Sequence, residues 1–261
     1  MPYGDRTIWI GYDANEVLPY AVARHSIAGW CEHTIPIFGV VLNDLIGEGL
    51  YTRPMEMRQV KTNEGVPVDT LWDNISGFPM STEFAISRFF ILELVKRHFP
   101  ENGGWALFVD CDVLARGFID DIFHAAEQQP DKAVVCVPHE HKVIEGENKK
   151  DGAISTNYNR KNWSSVMLFN RDHPANKGLT LELLNTVPGR DLHRFCWLKD
   201  DEIGYLDNKW NHLVGVDSIV SPSPSPALVH FTNGGPWLPK YNTVQYAAEW
   251  CAARDAWARR I

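Results

Sequence analysis

The sequence predicts an α/β domain with a mostly parallel central sheet that is flanked by helices and carries a docked C-terminal helix. First, the chain opens in β-α-β order, with strands over residues 7–13 and 34–42 around a helix over residues 17–30. Second, a helix over residues 81–98 leads into a short apolar run at Trp105–Val109 that suits a buried strand. Third, further apolar runs alternate with helical segments in the second half. This order is typical of parallel sheets.

Charge and cysteine content exclude several classes of protein. The 261 residues include 25 basic and 33 acidic side chains, a net charge of −8 that argues against general binding to nucleic acid or anionic membranes. Five cysteines without C-x-x-C spacing argue against a disulfide framework and favour a reducing compartment. The chain has neither a leader-like start nor an 18-residue apolar stretch, so we expect a cytoplasmic protein without a transmembrane segment.

The first strand runs into Gly11 and a polar turn, and Asn15 is the expected N-cap of the helix that follows. Nucleotide-binding α/β domains begin in this way, but the absence of G-x-G-x-x-G argues against a dinucleotide. Residues 43–80 are rich in glycine and proline and are expected to be irregular. Such a segment is either a functional loop or a surface excursion.

The helix over residues 81–98 carries one charged residue on its apolar face. Ser81 is its expected N-cap, and Glu83 suits the dipole of the first turn. Arg88 shares the stripe of Phe84 and therefore requires an anionic partner, either a neighbouring carboxylate or a bound phosphate. A structural ion pair and a functional contact both remain open.

The buried strand at Trp105–Val109 ends in Asp110 and Asp112, with Cys111 between them. Residues i and i+2 of an extended chain share a face, with α-carbons roughly 6.5 Å apart, so both carboxylates can reach one hard cation. Without compensation, the two charges would repel each other and resist burial. A divalent metal removes that cost, at the edge where open α/β sheets bind ligands. The alternative is a pair of solvated acids that cap the next turn.

The second half supplies further polar candidates. Residues 138–160 have mixed charge and are expected to form a solvated loop. A strand over residues 132–137 is followed by another over residues 163–170, which carries small polar residues at its start. Asp200 and Asp201 lie between apolar runs, so one of them could face a cleft, although adjacent acids are usually solvated.

The C-terminal region contains a histidine at a strand end. Residues 221–226 alternate serine and proline and predict an extended spacer before a strand over residues 227–231. His230 precedes a glycine turn, and beside two aspartates it would complete an oxygen and nitrogen set suited to Mn2+. A satisfied structural histidine is the alternative. Residues 246–261 predict a helix that docks on the domain, with a membrane-interface helix as the second interpretation.

Several of these stretches together resemble a known group of enzymes. Four occur in the expected order, namely IGYD (residues 10–13), SRFFILEL (87–94), FVDCDVL (108–114) and VHFTNGGPW (229–237). The chain resembles GT-A-fold glycosyltransferases, and most closely the retaining family that includes glycogenin and bacterial lipopolysaccharide galactosyltransferases. Residues 162–170 match less well, and Trp210 with Asn211 also fits.

The resemblance implies a single GT-A, Rossmann-like domain over residues 1–261. Its nucleotide-binding half would be residues 1–114, its acceptor and sugar half residues 115–241, and its C-terminal helix residues 242–261. It also implies that a nucleotide-sugar binds through Mn2+ or Mg2+ on its diphosphate. The implied metal ligands are Asp110, Asp112 and His230.

Further site residues are implied in the same way. The implied catalytic residues are Asp200, Asp201 and Arg88. Arg88 would face the donor sugar or the phosphates, and Asp200 or Asp201 would face the reacting sugar or the acceptor. The donor contacts would be Gly11, Tyr12, Asp13, Arg88, Cys111, Ser164, Gly234, Gly235, Trp237 and Lys240. The family has a lysine where this chain has Gly235, so Lys240, Arg88 or backbone amides would hold the diphosphate. The strand entry at Ser164 lacks the family's glycine, which leaves the sugar open.

The implied activity is transfer of a hexose-type sugar from a nucleotide-sugar, a UDP-sugar, to an unidentified acceptor with retention of configuration. One alternative is a sugar nucleotidyltransferase, although the turn after the first strand is acidic where a basic phosphate loop would be expected. The other is a non-catalytic nucleotide-sugar-binding protein. A protein, lipid, glycan or nucleobase acceptor stays open, as does a homodimer.

Overall fold

A computed structural model describes residues 5–32, 35–61, 65, 67–101, 103–139, 163–217 and 226–260. The strands are β1 (Arg6–Gly11), β2 (Ile37–Val40), β3 (Met55–Lys61), β4 (Pro67–Asp73), β5 (Phe78–Pro79), β6 (Trp105–Val109), β7 (Val113–Ala115), β8 (Val134–Cys136), β9 (Val166–Asn170), β10 (Ile203–Tyr205), β11 (His212–Leu213) and β12 (Leu228–His230). The helices are α1 (Val17–Gly29), α2 (Leu42–Gly47), α3 (Phe84–Ser87), α4 (Ile91–His98), α5 (Asp120–Glu127), α6 (Leu181–Thr186), α7 (Gly189–His193) and α8 (Ala247–Ala258). The predictions for residues 140–160 and 221–225 lie outside these ranges.

The central sheet has six strands in the order β10-β8-β9-β6-β1-β2. Only β9 runs against its neighbours, because it pairs antiparallel with β6 and β8 while the other pairs are parallel. All five residues of β6 are buried, as expected for an apolar strand in the middle of a sheet covered on both faces. The predicted α/β class with a mostly parallel sheet is confirmed.

A second sheet, in the order β11-β12-β7, extends from the carboxyl end of β6. Strand β7 begins directly after Asp112, and β12 pairs antiparallel with it so that His230 lies opposite Val113. The Phe231 amide also donates to the Asp112 carbonyl oxygen at 2.9 Å. This register brings a histidine from late in the chain beside the two aspartates.

The turn after β1 is closed by Asp13 and not by the predicted caps. Its carboxylate accepts hydrogen bonds from the backbone amides of Asn15 at 2.8 Å and Glu83 at 2.9 Å. Helix α1 has Glu16 at its N-cap and α3 has Glu83, in both cases without a side-chain cap. The predictions of Asn15 and Ser81 as caps are therefore wrong, because the Asp13 carboxylate is the acceptor for the backbone amides at the start of both helical segments.

The predicted helix over residues 81–98 is interrupted. A 3-10 turn at Arg88–Phe90 separates α3 from α4. The Arg88 Nε donates to the Phe84 carbonyl oxygen one turn back, at 3.2 Å. The break therefore falls at the charged residue of the apolar stripe, and the helices on either side bury Phe84 and Ile91.

The prediction that residues 43–80 are irregular is wrong. They contain most of α2 and an antiparallel sheet in the order β3-β4-β5. Five of the seven residues of β3 are exposed, so its sequence lacks the apolar alternation that signals a half-buried strand. The base of this sheet is fixed by a buried ion pair between Arg53 and Asp73, whose nearest atoms are 2.6 Å apart.

Helix α8 docks on the domain as predicted. Trp250 is almost fully buried and packs in a cluster with Val22 of α1, Leu114 of β7 and Val229 of β12. Arg259 and Arg260 at the end of the helix are exposed. Within the described residues, no helix combines the length and the apolar character needed to cross a bilayer.

Candidate functional site

Asp110, Asp112 and His230 converge at the carboxyl end of β6. One ligand atom from each residue lies within 4.8 Å of the other two. The His230 Nε2 is 3.1 Å from the Asp112 Oδ1, and the Asp110 amide donates to the Ser165 carbonyl oxygen at 3.0 Å. The three residues that the sequence singled out as metal ligands are therefore neighbours in space.

Burial and mutual charge set the protonation of this cluster. Burial raises the pKa of Asp110 to about 6, against the opposing effect of Arg88. Burial also acts to raise the pKa of Asp112, but the charge and hydrogen bond of His230 outweigh it and lower that pKa. The pKa of His230 is raised because Asp112 outweighs the effect of burial. The Asp112 carboxylate and a protonated His230 thus stabilise each other, and a divalent cation would compete with that proton for the same atoms.

The donor atoms fit a hard divalent cation. The Oδ1 atoms of Asp110 and Asp112 are buried, and each relies on one ion pair of imperfect hydrogen-bond geometry, with Arg88 and with His230 respectively. Buried carboxylate oxygens in that condition are costly unless a cation or another donor satisfies them. Two carboxylate oxygens and one imidazole nitrogen suit Mn2+ or Mg2+.

Arg88 supports the cluster from the side of β9. Its Nη1 lies 2.8 Å from the Asp110 Oδ1 as an ion pair and donates to the Ser164 carbonyl oxygen at 2.9 Å. The guanidinium lies about 5 Å from the ring centroids of Phe84 and Phe108. Of the two partners left open by the sequence, the structure provides the carboxylate.

Asn211 orients the histidine ligand. Its Oδ1 lies 3.0 Å from the His230 Nδ1, its Nδ2 donates to the Ser165 Oγ at 2.8 Å, and the residue is fully buried. Because a carbonyl oxygen only accepts, this contact assigns a proton to Nδ1 and leaves Nε2 directed at Asp112. The sequence pointed to Asn211 only as part of a resemblance, because the contact links residues 19 positions apart.

Replacing Asn211 with alanine is expected to lower the affinity for Mn2+ by about 10–100-fold, because His230 loses the acceptor that fixes its ring. Isothermal titration of the purified protein with Mn2+ measures the change. Asn185→Ala is the matched control, since the Asn185 amide is likewise hydrogen-bonded, to the Leu50 and Leu181 carbonyl oxygens, but lies in α6, outside the cluster. Unchanged Mn2+ affinity in Asn211→Ala would contradict the positioning role.

A cavity of about 280 Å³ opens beside the three ligands. Its lining includes three further predicted site residues, Arg88, Gly234 and Trp237, and also Thr232 from the same glycine turn. It also includes Glu16 and Thr82, which the sequence reasoning missed. Both lie in connections whose distance from the aspartates depends on the fold, so no local pattern marks them.

Other predicted donor contacts are engaged in packing. A Cβ on Gly11 would lie 2.5 Å from the Phe84 ring, so the close approach of that ring explains this glycine without a ligand. The Tyr12 ring meets Tyr20 edge to face, with centroids 5.1 Å apart. The Asp13 carboxylate already accepts two backbone hydrogen bonds.

Ser164 and Cys111 direct their side chains into the protein. The Ser164 Oγ lies 2.6 Å from the Nδ1 of His193 in α7. Burial, with a smaller effect of Arg88, lowers the pKa of His193 to about 3, so this imidazole is neutral at physiological pH. The Cys111 thiol donates to the Glu16 Oε2 at 3.1 Å. Any donor contact by Ser164 or Cys111 would have to compete with these bonds.

The glycine turn after β12 is shaped by Trp237. Gly234 has a φ of +106°, which favours glycine, and a Cβ on Gly235 would overlap the Trp237 ring. Gly235 is thus required by the folded-back indole. Lys240 is exposed, with its Nζ 5.3 Å from the ring centroid of Tyr241, and it does not line the cavity.

The structure does not bring Asp200 and Asp201 together with the metal cluster, because they lie at the amino end of the outer strand β10. They form a 3-10 turn just before β10, and β10 runs parallel to β8 and hence to β6. The amide of Ala133, before β8, donates to the carbonyl oxygen of the adjacent Glu202. The turn therefore lies at the amino end of these strands, roughly 16 Å along the strand direction and roughly 14 Å, or three strands, across the sheet from Asp110.

Solved structures with low sequence identity share this fold. The glycosyltransferase GlyE of Streptococcus pneumoniae TIGR4 has a TM-score of 0.56 and 14% identity over 95% of this chain, which spans only 60% of GlyE. The galactosyltransferase LgtC, solved with donor and acceptor sugar analogs, has a TM-score of 0.54 and 13% identity, with 96% of this chain and 95% of LgtC covered. The predicted GT-A fold is confirmed.

Sequence similarity identifies a much nearer relative. The chain matches no protein-family model. It is 39% identical to Protein CDI of Arabidopsis thaliana over 246 residues, which cover 93% of this chain and 83% of that protein. Identity of this extent over nearly the whole length shows common ancestry, and the chain belongs to the family of Protein CDI.

Proposed function

We propose that the protein is a metal-dependent glycosyltransferase that moves a hexose-type sugar from a UDP-sugar to an acceptor. The observation that carries the proposal is the convergence of Asp110, Asp112 and His230 within 4.8 Å, at the ligand-binding edge of a GT-A fold. We propose Mn2+ or Mg2+ as the cation and retention of the anomeric configuration, as in the enzymes that the sequence resembles. Five free cysteines support a reducing compartment, for which we propose the cytoplasm.

The residues around the cavity support this chemistry. When bound, the cation would neutralise the charge that develops on the departing diphosphate. Arg88 fixes Asp110, and Asn211 fixes His230, so both ligands are oriented before a donor binds. The bare backbone at Gly234 allows an anion to approach closely beside Trp237. We assign the donor diphosphate to the space between Asp112 and this turn.

A panel of UDP- and GDP-sugars tests the proposal. With Mn2+, one UDP-sugar is expected to be hydrolysed slowly to UDP, and EDTA is expected to stop the release because the diphosphate loses its counter-charge. Chromatographic measurement of the released nucleotide gives the rate.

Two results would contradict this function. Tight UDP-sugar binding without any nucleotide release, in the presence of varied sugar and lipid acceptors, would identify a non-catalytic binding protein. Formation of a nucleotide-sugar and pyrophosphate from a nucleoside triphosphate and a sugar 1-phosphate would identify a nucleotidyltransferase.

A further inference from the structure

Two connections meet where the order of the central sheet reverses. From β1 the chain passes to β2 on one side, while β6 pairs with the other side of β1. Open α/β sheets bind nucleotides in the crevice beyond the strand ends at such a point. Glu16 follows β1, Cys111 follows β6, and their side chains touch across this crevice, with the Sγ 3.1 Å from the Oε2.

The Glu16 carboxylate is partly buried but accepts few hydrogen bonds. Its single side-chain hydrogen bond among the described residues comes from the Cys111 thiol, a weak donor. Burial raises the pKa of Glu16 to about 7, opposed by the thiol hydrogen bond, while nearby carboxylates, first among them Asp112, raise it further. The carboxylate lines the cavity beside the metal cluster, so a ligand there can reach it.

Another residue that lines the cavity, Thr82, also offers an unused polar atom. The Thr82 Oγ1 is buried and has no hydrogen-bond partner within the described ranges. Thr82 and Glu16 line the same cavity. A ligand seated between them must therefore carry hydrogen-bonding groups rather than an apolar surface.

The negative charge of the Glu16 carboxylate limits which part of the nucleotide-sugar it can contact. A phosphate is disfavoured beside Glu16, because the carboxylate repels it and the charged groups that act on Glu16 are the acids Asp112, Asp13 and Asp110. The group must be neutral and rich in O–H donors. Glu16 lies on the β1 side of the cluster, whereas Arg88 contacts the Ser164 carbonyl oxygen on the β9 side. Because nucleotides bind at such a switch point, we assign the nucleoside, and not the transferred sugar, to the β1 side.

We propose that the Glu16 carboxylate accepts hydrogen bonds from the 2′- and 3′-hydroxyls of the donor ribose and so selects ribonucleotides. The inference rests on the proposed function, since it assumes a nucleotide whose diphosphate lies at the metal cluster. Two adjacent hydroxyls can donate to the two oxygens of one carboxylate, and an acid that binds the ribose hydroxyls is a recurring solution in nucleotide-binding sheets.

Calorimetric affinities for UDP and 2′-deoxy-UDP, measured with saturating Mn2+, test this role. Wild-type protein is expected to bind 2′-deoxy-UDP about 10–100-fold more weakly, the effect of one hydrogen bond to a charged group. Glu16→Gln is expected to reduce that ratio to about threefold or less, because a neutral amide accepts more weakly. Glu32→Gln, a change on a residue that does not line the cavity, is expected to keep the full ratio.

The outcomes separate the inference from the function on which it rests. Equal binding of UDP and 2′-deoxy-UDP by wild-type protein overturns the ribose contact but leaves the glycosyltransferase in place, and this comparison needs no variant to fold. Binding of neither UDP nor GDP overturns both. A Glu16→Gln protein that changes its preference between UDP and GDP, but keeps the ribose ratio, would show that Glu16 contacts the base and overturn the inference.

Discussion

Asp112→Ala is expected to reduce UDP release from the best UDP-sugar by about 10³-fold or more. Asp112 supplies one of the three ligand atoms and is the charge partner of His230, so its loss removes the counter-charge for the diphosphate. The corresponding loss of transition-state stabilisation is about 4 kcal/mol. The fold should persist, because the His230 imidazole can release its proton once its partner is gone. Rates with Mn2+ and thermal melts of both proteins measure the two effects.

Asp201→Asn is the matched control for that variant. It removes one acid from the turn before β10, at the edge of the sheet that faces away from the metal cluster. Its rate is expected to equal that of the wild type. Full activity in Asp112→Ala would remove the metal assignment, and loss of activity in Asp201→Asn would contradict the placement of that turn.

The centre of the fold could be predicted because its signals are local. Strand β6 is a short apolar run between a glycine turn and two acids, and all five of its residues are buried. The same run placed Asp110 and Asp112 on one face of an extended segment. The proximity of His230 to the two aspartates could not be predicted from local signals, because it depends on the register between β12 and β7. There the resemblance to known glycosyltransferases supplied what the residues alone left open.

The missed features depend on contacts between distant segments. Glu16 reaches Cys111 across 95 residues, and no periodicity connects the two. The position of Asp200 and Asp201 relative to the metal cluster could not be predicted, because the direction of the three-residue strand β10 is known only from its pairing with β8. The sheet of β3, β4 and β5 was missed because most of β3 is exposed, so its polar sequence resembles a loop.

The exposed sheet of β3, β4 and β5 is anchored at its base by the ion pair between Arg53 and Asp73, the least exposed among the described residues. Arg53 and Asp73 have side chains that are 0% and 1% exposed. The Arg53 Nη1 also donates to the carbonyl oxygens of Leu184 at 2.7 Å and Val187 at 2.8 Å, at the end of α6. One guanidinium therefore joins the sheet to the segment that leads into α7.

Arg53→Met is expected to lower the free energy of unfolding by about 3–5 kcal/mol, measured by urea denaturation. The methionine fills part of the volume, but it leaves the Asp73 charge buried with no cationic partner, held by the Ser76 amide at 2.8 Å and by the Ser76 side chain. Removing that charge as well, in Arg53→Met with Asp73→Asn, should recover part of the loss, because the uncompensated charge is the larger cost. Failure of the second change to recover any stability would contradict this cause.

Arg58→Met supplies the exposed counterpart of the same change. Arg58 pairs with Glu56 on the surface of β3, where the side chains are 45% and 47% exposed. Solvent screens such a pair, so its loss is expected to cost less than about 1 kcal/mol. If Arg53→Met were no more destabilising than Arg58→Met, the anchor would lie elsewhere, and the position of α7 against Ser164 would need another explanation. If the difference is as large as expected, one desolvated arginine holds the exposed sheet to the end of α6.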